Sequence, residues 1–300
     1  MTKKALVYDI PVSGVVSHRF GDFLALTKPR LNFLVVITAA VGYYLGAAPD
    51  LNLATLVQVV AGIALVAGGA AGLNQIYERE TDSLMRRTRT RPLAAHRLSI
   101  TEATIFSLAL AVIGLMIVAA RANLLAASLT LLTLISYNVV YTPMKRRSQL
   151  ATLVGAVPGA LPPMIGWVAA RGTLTPEAWA LFAIVFVWQI PHFMAIAWLN
   201  RDDFARAGFP LLPVVEPDGK STARQAVLFA VALVPISLAP FFLRMSGAVY
   251  AAGAVAGGLA LLVLAVMFAL QRTNERARLL FLGSITYLPL LWVIMIGDRR

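Results

Sequence analysis

Apolar runs of about 17 to 25 residues, each long enough to cross a hydrocarbon core as a helix, recur along nearly all of this 300-residue chain. A backbone placed in hydrocarbon must satisfy its own N–H and C=O groups, so only helices or a closed barrel can do the spanning. The ten-residue alternating segments of a barrel are absent. Composition agrees: 59% of the residues are hydrophobic and 13% charged, against roughly 25% charged in a soluble domain. The expectation is an all-α integral membrane protein, a single polytopic domain over 1–300. Nine transmembrane helices are expected, near 31–48, 52–76, 104–120, 123–141, 150–170, 178–199, 226–243, 247–270 and 279–296.

Nine spans put the two ends of the chain on opposite sides, and the loops then fall into two alternating sets. One set, which includes a tail over 1–30, holds 21 of the 26 Lys and Arg residues; the other holds Arg121, Arg171, Arg244, Arg299 and Arg300. Basic loops face the cytoplasm, so the N-terminus and the long charged loops are expected there. The net charge of +12 is thus a topology signal, and nucleic acid is not an expected partner. Without cysteine there are no disulfides, thiolate metal ligands or thioether-linked haem. The first thirty residues lack the apolar core of a signal peptide, and no cleaved targeting segment is expected. A bacterial inner membrane is favoured because an Arg- and Ser-rich, acid-poor leader is missing.

The charge is concentrated where function would need it. "NQIYERETDSLMRRTRTRPL" (74–93) packs three carboxylates and five arginines behind an apolar run. Asn74, Glu78 and Asp82 are spaced i, i+4, i+8, which stacks them on one helical face at about 6 Å per step. An amide and two carboxylates suit Mg²⁺, whose remaining positions go to waters and phosphate oxygens. Arg86, Arg87, Arg89, Arg91 and Arg97 follow at once, and guanidiniums are natural partners of phosphate. Metal plus arginine points to a diphosphate site; the bland alternative is a solvated loop whose arginines only set topology. Glu80 lies on another face and is expected to be structural. The sixth span runs into "AWLNRDDF" much as the second runs into "NQIYERETD", which suggests two pseudo-repeated halves around one central cavity.

Three other stretches matter. "YTPMKRRS" (141–148) carries Lys145, Arg146 and Arg147. "GAVPGALPPMIGW" (155–167) is expected to be either a helix broken to make room for a ligand or one packed closely through small residues. In "WQIPHFMAIAWLNRDDF" (188–204), a histidine within a span is a functional candidate: His192 could ligate haem iron, act as a base or bond a neighbouring helix. Trp188 and Phe193 are candidates to line a pocket, Trp198 and Phe204 to join an interfacial aromatic belt. His18 and His96 are expected to be surface residues.

These residues resemble a family. Asn74-x₃-Glu78-x₃-Asp82 with "MRRTRTRPL" looks like the first acidic motif of the intramembrane aromatic prenyltransferases of UbiA type. "LTKPR" (26–30), "YTPMKRRS", "GALPPMIGWVAARG" (159–172), "PHFMAIAWLNRDDFARAGFPLLPVV" (191–215) and "ARLLFLGSITYLPLLW" (277–292) are similar, in order, to signatures of its haem O synthases, the protoheme IX farnesyltransferases. The resemblance covers about residues 20–295. Two departures stand out: Glu78 occupies a position where Asp is common, and in the second acidic motif Asp203 is the matching residue while Asp202 is incidental.

The resemblance implies a cavity open to the cytoplasmic side and to lipid, and transfer of the farnesyl group of farnesyl diphosphate to a vinyl group of haem B, with addition of water, giving haem O. It implies Mg²⁺ as cofactor, held by Asn74, Glu78, Asp82 and Asp203, with Arg87, Arg91, Lys145 and Arg146 on the diphosphate and His192 on the haem. Membrane lipid surrounds the protein, and a haem A synthase is the expected consumer of the product. Two rivals remain: a prenyltransferase for another aromatic acceptor (4-hydroxybenzoate, a quinone precursor or a chlorophyllide), and a non-catalytic transporter or haem-binding scaffold.

Overall fold

A computed structural model describes residues 12–47 and 51–300, with side chains from residue 19 onward. The start of the expected tail and the His18 side chain lie outside the described residues. The described chain is helical: α1 Val12–Leu26, α2 Pro29–Gly46, α3 Leu53–Leu84, α4 Ile100–Arg121, α5 Leu124–Ile135, a π-helical turn Ser136–Tyr141, α6 Thr142–Met144, α7 Ala151–Arg171, α8 Pro176–Leu199, α9 Arg201–Arg206, α10 Leu212–Val215, α11 Lys220–Ile236, α12 Ala239–Phe242, α13 Ala248–Leu270 and α14 Asn274–Gly297. Eight helical segments are long and apolar enough to cross a membrane, and a ninth if the bent pair formed by the end of α1 and α2 is one span.

Local chemistry sets the helix ends. Ser99 and Glu102 form a reciprocal capping box at α4, Asn52 and Asn123 accept from backbone N–H groups at the starts of α3 and α5, and Gly172 ends α7 in the left-handed conformation. The break before α2 follows from "KP": Pro29 has no N–H and biases the preceding residue away from the helical region. Lys28 sits at φ 47° and the helices meet at 46°. Gln75 of α3 donates to the Leu26 carbonyl freed by that break, at 2.7 Å.

The helix expected to end near residue 76 continues to Leu84, 32 residues in all. At 1.5 Å per residue it is about 48 Å long, against a hydrocarbon core of about 30 Å, so about three turns exceed what a span needs. The stretch expected to be broken or tightly packed is packed: α7 is continuous although Pro158, Pro162 and Pro163 lie inside it. A Cβ on Gly42 would stand 1.9 Å from the Pro163 carbonyl oxygen, and one on Gly166 1.9 Å from that of Ala39, so glycine lets α2 and α7 meet backbone to backbone. Helices α7 and α8 are the most enclosed, with α4, α5, α11 and α13 outside them presenting apolar side chains to lipid.

Candidate active site

The three polar residues on α3 face inward despite their charge: Asn74, Glu78 and Asp82 are 1%, 5% and 1% exposed. A carboxylate removed from water needs a partner, and each of the three residues has a lysine or arginine partner drawn from a different part of the chain. Lys28, at the α1–α2 break, donates to Asn74 Oδ1 at 2.8 Å; Lys145, after α6, donates to Glu78 Oε1 at 2.9 Å; and Arg91 NH1 meets both oxygens of Asp82 at 2.8 and 2.7 Å. Asn74 Nδ2 also donates to Thr142 Oγ1 at 3.1 Å. Burial works against the Lys145 ammonium, but Tyr141 and Glu78 outweigh it and hold its pKa above the ordinary lysine value, so this residue is a fixed cation.

Lys28 also lines the head of an otherwise mainly apolar cavity of about 370 Å³, within the range of about 300–1,000 Å³ typical of small-molecule pockets. The π turn builds one wall. Thr142 N–H reaches back five residues to the Tyr137 carbonyl, and this widened turn precedes Pro143, which has no N–H of its own. Tyr137 and Tyr141 line the cavity, and opposite them α7 contributes Gly155 and Gly159. A Cβ on Gly155 would strike the Tyr141 ring at 2.4 Å, and one on Gly159 would stand 2.4 Å from Gln189 Oε1.

His192 lines the same cavity with Trp188 and Phe193. Its ring is stacked on Trp188 and on Phe281, with centroids 5.3 and 5.1 Å away, and its Nδ1 lies 2.8 Å from Ser284 Oγ. The histidine does bond a neighbouring helix, and it does so at the cavity wall with Nε2 left over.

The other expected site residues are less enclosed. Asp203 on α9 accepts from the backbone N–H groups of Arg86 and Arg87 at 3.4 and 3.3 Å and pairs with Arg206. It ties the loop after α3 to the segment after α8 and leaves Asp202 exposed. Arg87 is exposed at the rim; partial burial and the nearby Arg91 lower its guanidinium pKa, while Asp82 and Glu78 oppose that shift. Arg146 is exposed, as is His96, and Glu80 pairs with Arg79 at 2.9 Å on the outer face of α3. Trp198 and Phe204 form no interfacial belt. Trp198 is buried edge-on against Phe268 because Gly219 packs over its ring, and Phe204 packs against Phe209 under the loop.

Lys28, Thr142, Gln189 and Ser284 are the site residues the sequence reading did not single out. The signal for Lys28, Thr142 and Ser284 was present in "LTKPR", "YTPMKRRS" and "FLGSITYLP".

The UbiA prenyltransferase family matches residues 35–286. A protoheme IX farnesyltransferase of Solibacter usitatus is 46% identical over 287 residues, covering 93% of this chain and 98% of the relative. That of Koribacter versatilis is 45% identical over 300 residues, covering 97% and 96%. Among solved structures, a digeranylgeranylglyceryl phosphate synthase superposes with a TM-score of 0.79 at 16% identity, covering 94% of this chain and 98% of that one. A UbiA homolog from Archaeoglobus fulgidus bound to DMAPP and Mg²⁺ gives a TM-score of 0.66 at 17% identity, covering 92% and 99%. At those identities the structural likeness is one of fold.

Proposed function

Since the chain belongs to the UbiA prenyltransferase family, we propose that it transfers the farnesyl group of farnesyl diphosphate to a vinyl group of haem B, with addition of water, to give haem O and diphosphate. The observation that carries this reading is the row of buried oxygen donors on α3, each matched to a lysine or arginine, beside the head of an apolar cavity.

The donor set fits Mg²⁺. Asn74, Glu78 and Asp82 offer an amide oxygen and two carboxylates on one helical face, with Asp203 as a further carboxylate from α9. No three Asp, Glu or His side chains among the described residues stand close enough to hold an ion unaided, so Mg²⁺ at this row would need waters and phosphate oxygens to complete its coordination. When bound, Mg²⁺ neutralises the leaving diphosphate. Lys28, Lys145 and Arg91, released from the oxygens they now hold, turn to the diphosphate. Arg87 and Arg146 stand at the rim for diphosphate or for haem propionates.

The cavity walls exclude water from the prenyl chain. When the C1–O bond breaks, the aromatic residues that line the cavity, Tyr137 among them, favour the allylic cation, and the haem vinyl group attacks its C1. Water captures the resulting carbocation and loses a proton, so no strong enzyme base is needed. Ser284 fixes His192 through Nδ1 and leaves Nε2 for the porphyrin. The excess of Lys and Arg in the loops around the site supports a cytoplasmic orientation for them; a bacterial inner membrane and a haem A synthase that consumes the product belong to the same proposal.

The test is chemical. Membranes containing the protein receive haem B, farnesyl diphosphate and Mg²⁺, and the extracted haems are weighed by mass spectrometry. Haem O that vanishes with a chelator is expected. Unchanged haem B beside Mg²⁺-dependent prenylation of a phenol or quinone precursor would move the acceptor, and transport without chemical change would replace the reading altogether.

A further inference from the structure

At the end of the bundle opposite the α3 carboxylates lies a second cavity, of about 430 Å³. It is formed where α2 and α7 end, where α8 begins, and where the segment after α12 meets the segment after α14. Helix α8 has 24 residues, so about 36 Å of helix separates this cavity from the α9 end of the bundle. Arg171, Arg244, Arg299 and Arg300 line it. Only five Lys or Arg residues belong to the loops of this face, and four of those five converge here. Topology calls for few basic residues on this face; it gives no reason for them to gather.

Their charge is not answered locally. None of the four arginines joins an ion pair among the described residues. Glu177 is the one acidic side chain in the wall, and the neighbouring Asp298 uses Oδ2 to accept from the Tyr250 N–H at 2.7 Å.

Aromatic faces hold two of the guanidiniums: Arg171 lies over Trp167 at 5.6 Å and Arg299 over Tyr44 at 4.9 Å. Such stacking leaves the in-plane N–H donors free. Buried donors there also want an acceptor. One terminal nitrogen of Arg299, the Trp167 indole Nε1 and the Thr175 hydroxyl have no partner among the described residues, and Trp167 is only 5% exposed. Burying donors unpaired is unfavourable, which adds a reason for an acceptor at this wall.

We infer that this cavity binds a phosphate-type oxyanion through the forks of Arg171 and Arg299, with Arg244 and Arg300 closing around it. A lipid headgroup phosphate and a soluble phosphate share that chemistry, and the arms of one experiment separate them. Full-length protein, stripped of lipid in neutral detergent, is titrated with inorganic phosphate in one arm and short-chain phosphatidylglycerol in the other, and the dissociation constant is read. The variants are Arg171→Gln/Arg299→Gln; the pair Arg171→Gln/Arg244→Gln, which touches only exposed residues and so spares folding; and Arg121→Gln, the fifth basic residue of this face, which lies outside the cavity wall.

Wild type and Arg121→Gln are expected to bind alike, and both double variants to bind about tenfold more weakly or worse, the loss expected for charge-assisted hydrogen bonds. Saturation by phosphate assigns a soluble oxyanion; saturation by the lipid alone assigns a headgroup. Undiminished affinity in the exposed pair, an equal loss in Arg121→Gln, or no saturable binding in either arm would overturn the site.

Discussion

The carboxylates at the end of α3 and the one on α9 follow apolar helices in similar fashion, yet they are held differently. Glu78 and Asp82 are almost wholly buried and matched to Lys145 and Arg91, cations from other segments. Asp203 is only partly enclosed and spends its oxygens on two backbone N–H groups and on Arg206, one helical turn away. A buried ion pair is an arrangement that another cation can enter by exchange, because the desolvation of the carboxylate has already been met by folding. A carboxylate that staples two loops is tied to those loops first. The α3 row is therefore the proposed centre of charge handling, and Asp203 its anchor to the far side of the cavity.

Substitutions can break this contrast. Asp82→Asn should reduce haem O formation most, on the order of 10³-fold, the scale of losing a principal electrostatic contact to the leaving group. Glu78→Gln should cost about 10²-fold on the same grounds, and Glu78→Asp should recover most of it, since a carboxylate on a shorter stem still offers oxygen to a metal. Asp203→Ala should cost roughly tenfold and act on KM more than on kcat, as the loss of positioning rather than of transition-state charge. Glu80→Gln, on the outer face of the same helix, should stay within about twofold, as exposed pairs contribute little. Protein level and thermal stability are measured for each variant. Equal losses for Asp203→Ala and Asp82→Asn, both in kcat, would erase the difference.

Much of the fold is legible because the bilayer leaves a chain few choices. Each apolar run became a helix, and the i, i+4, i+8 spacing of Asn74, Glu78 and Asp82 placed them on one face once α3 proved to extend to Leu84. What was not legible depends on distant partners. Lys28 meets Asn74 across 46 residues, Lys145 meets Glu78 across 67, and Asn74 meets Thr142 across 68. Counted along the sequence, Lys28 is one more basic residue in a cytoplasmic tail; only packing shows that it stands at the cavity head. The three prolines of α7 leave a kink and tight packing both open, and the close approach at Gly42 and Gly166 is what shows that α2 and α7 touch. The stacking of His192 between Trp188 and Phe281 required α14 to be placed beside α8.

The claim that carries the rest is that the α3 row holds the metal and diphosphate together at the cavity head. The direct measurement is calorimetric titration of a non-hydrolysable farnesyl diphosphate analogue into the full-length protein, with and without Mg²⁺, for wild type and Asp82→Asn. Binding that strengthens strongly with Mg²⁺ in wild type, and that no longer responds to Mg²⁺ in Asp82→Asn, is the predicted result. The same Mg²⁺-dependent affinity in a folded Asp82→Asn protein would contradict it.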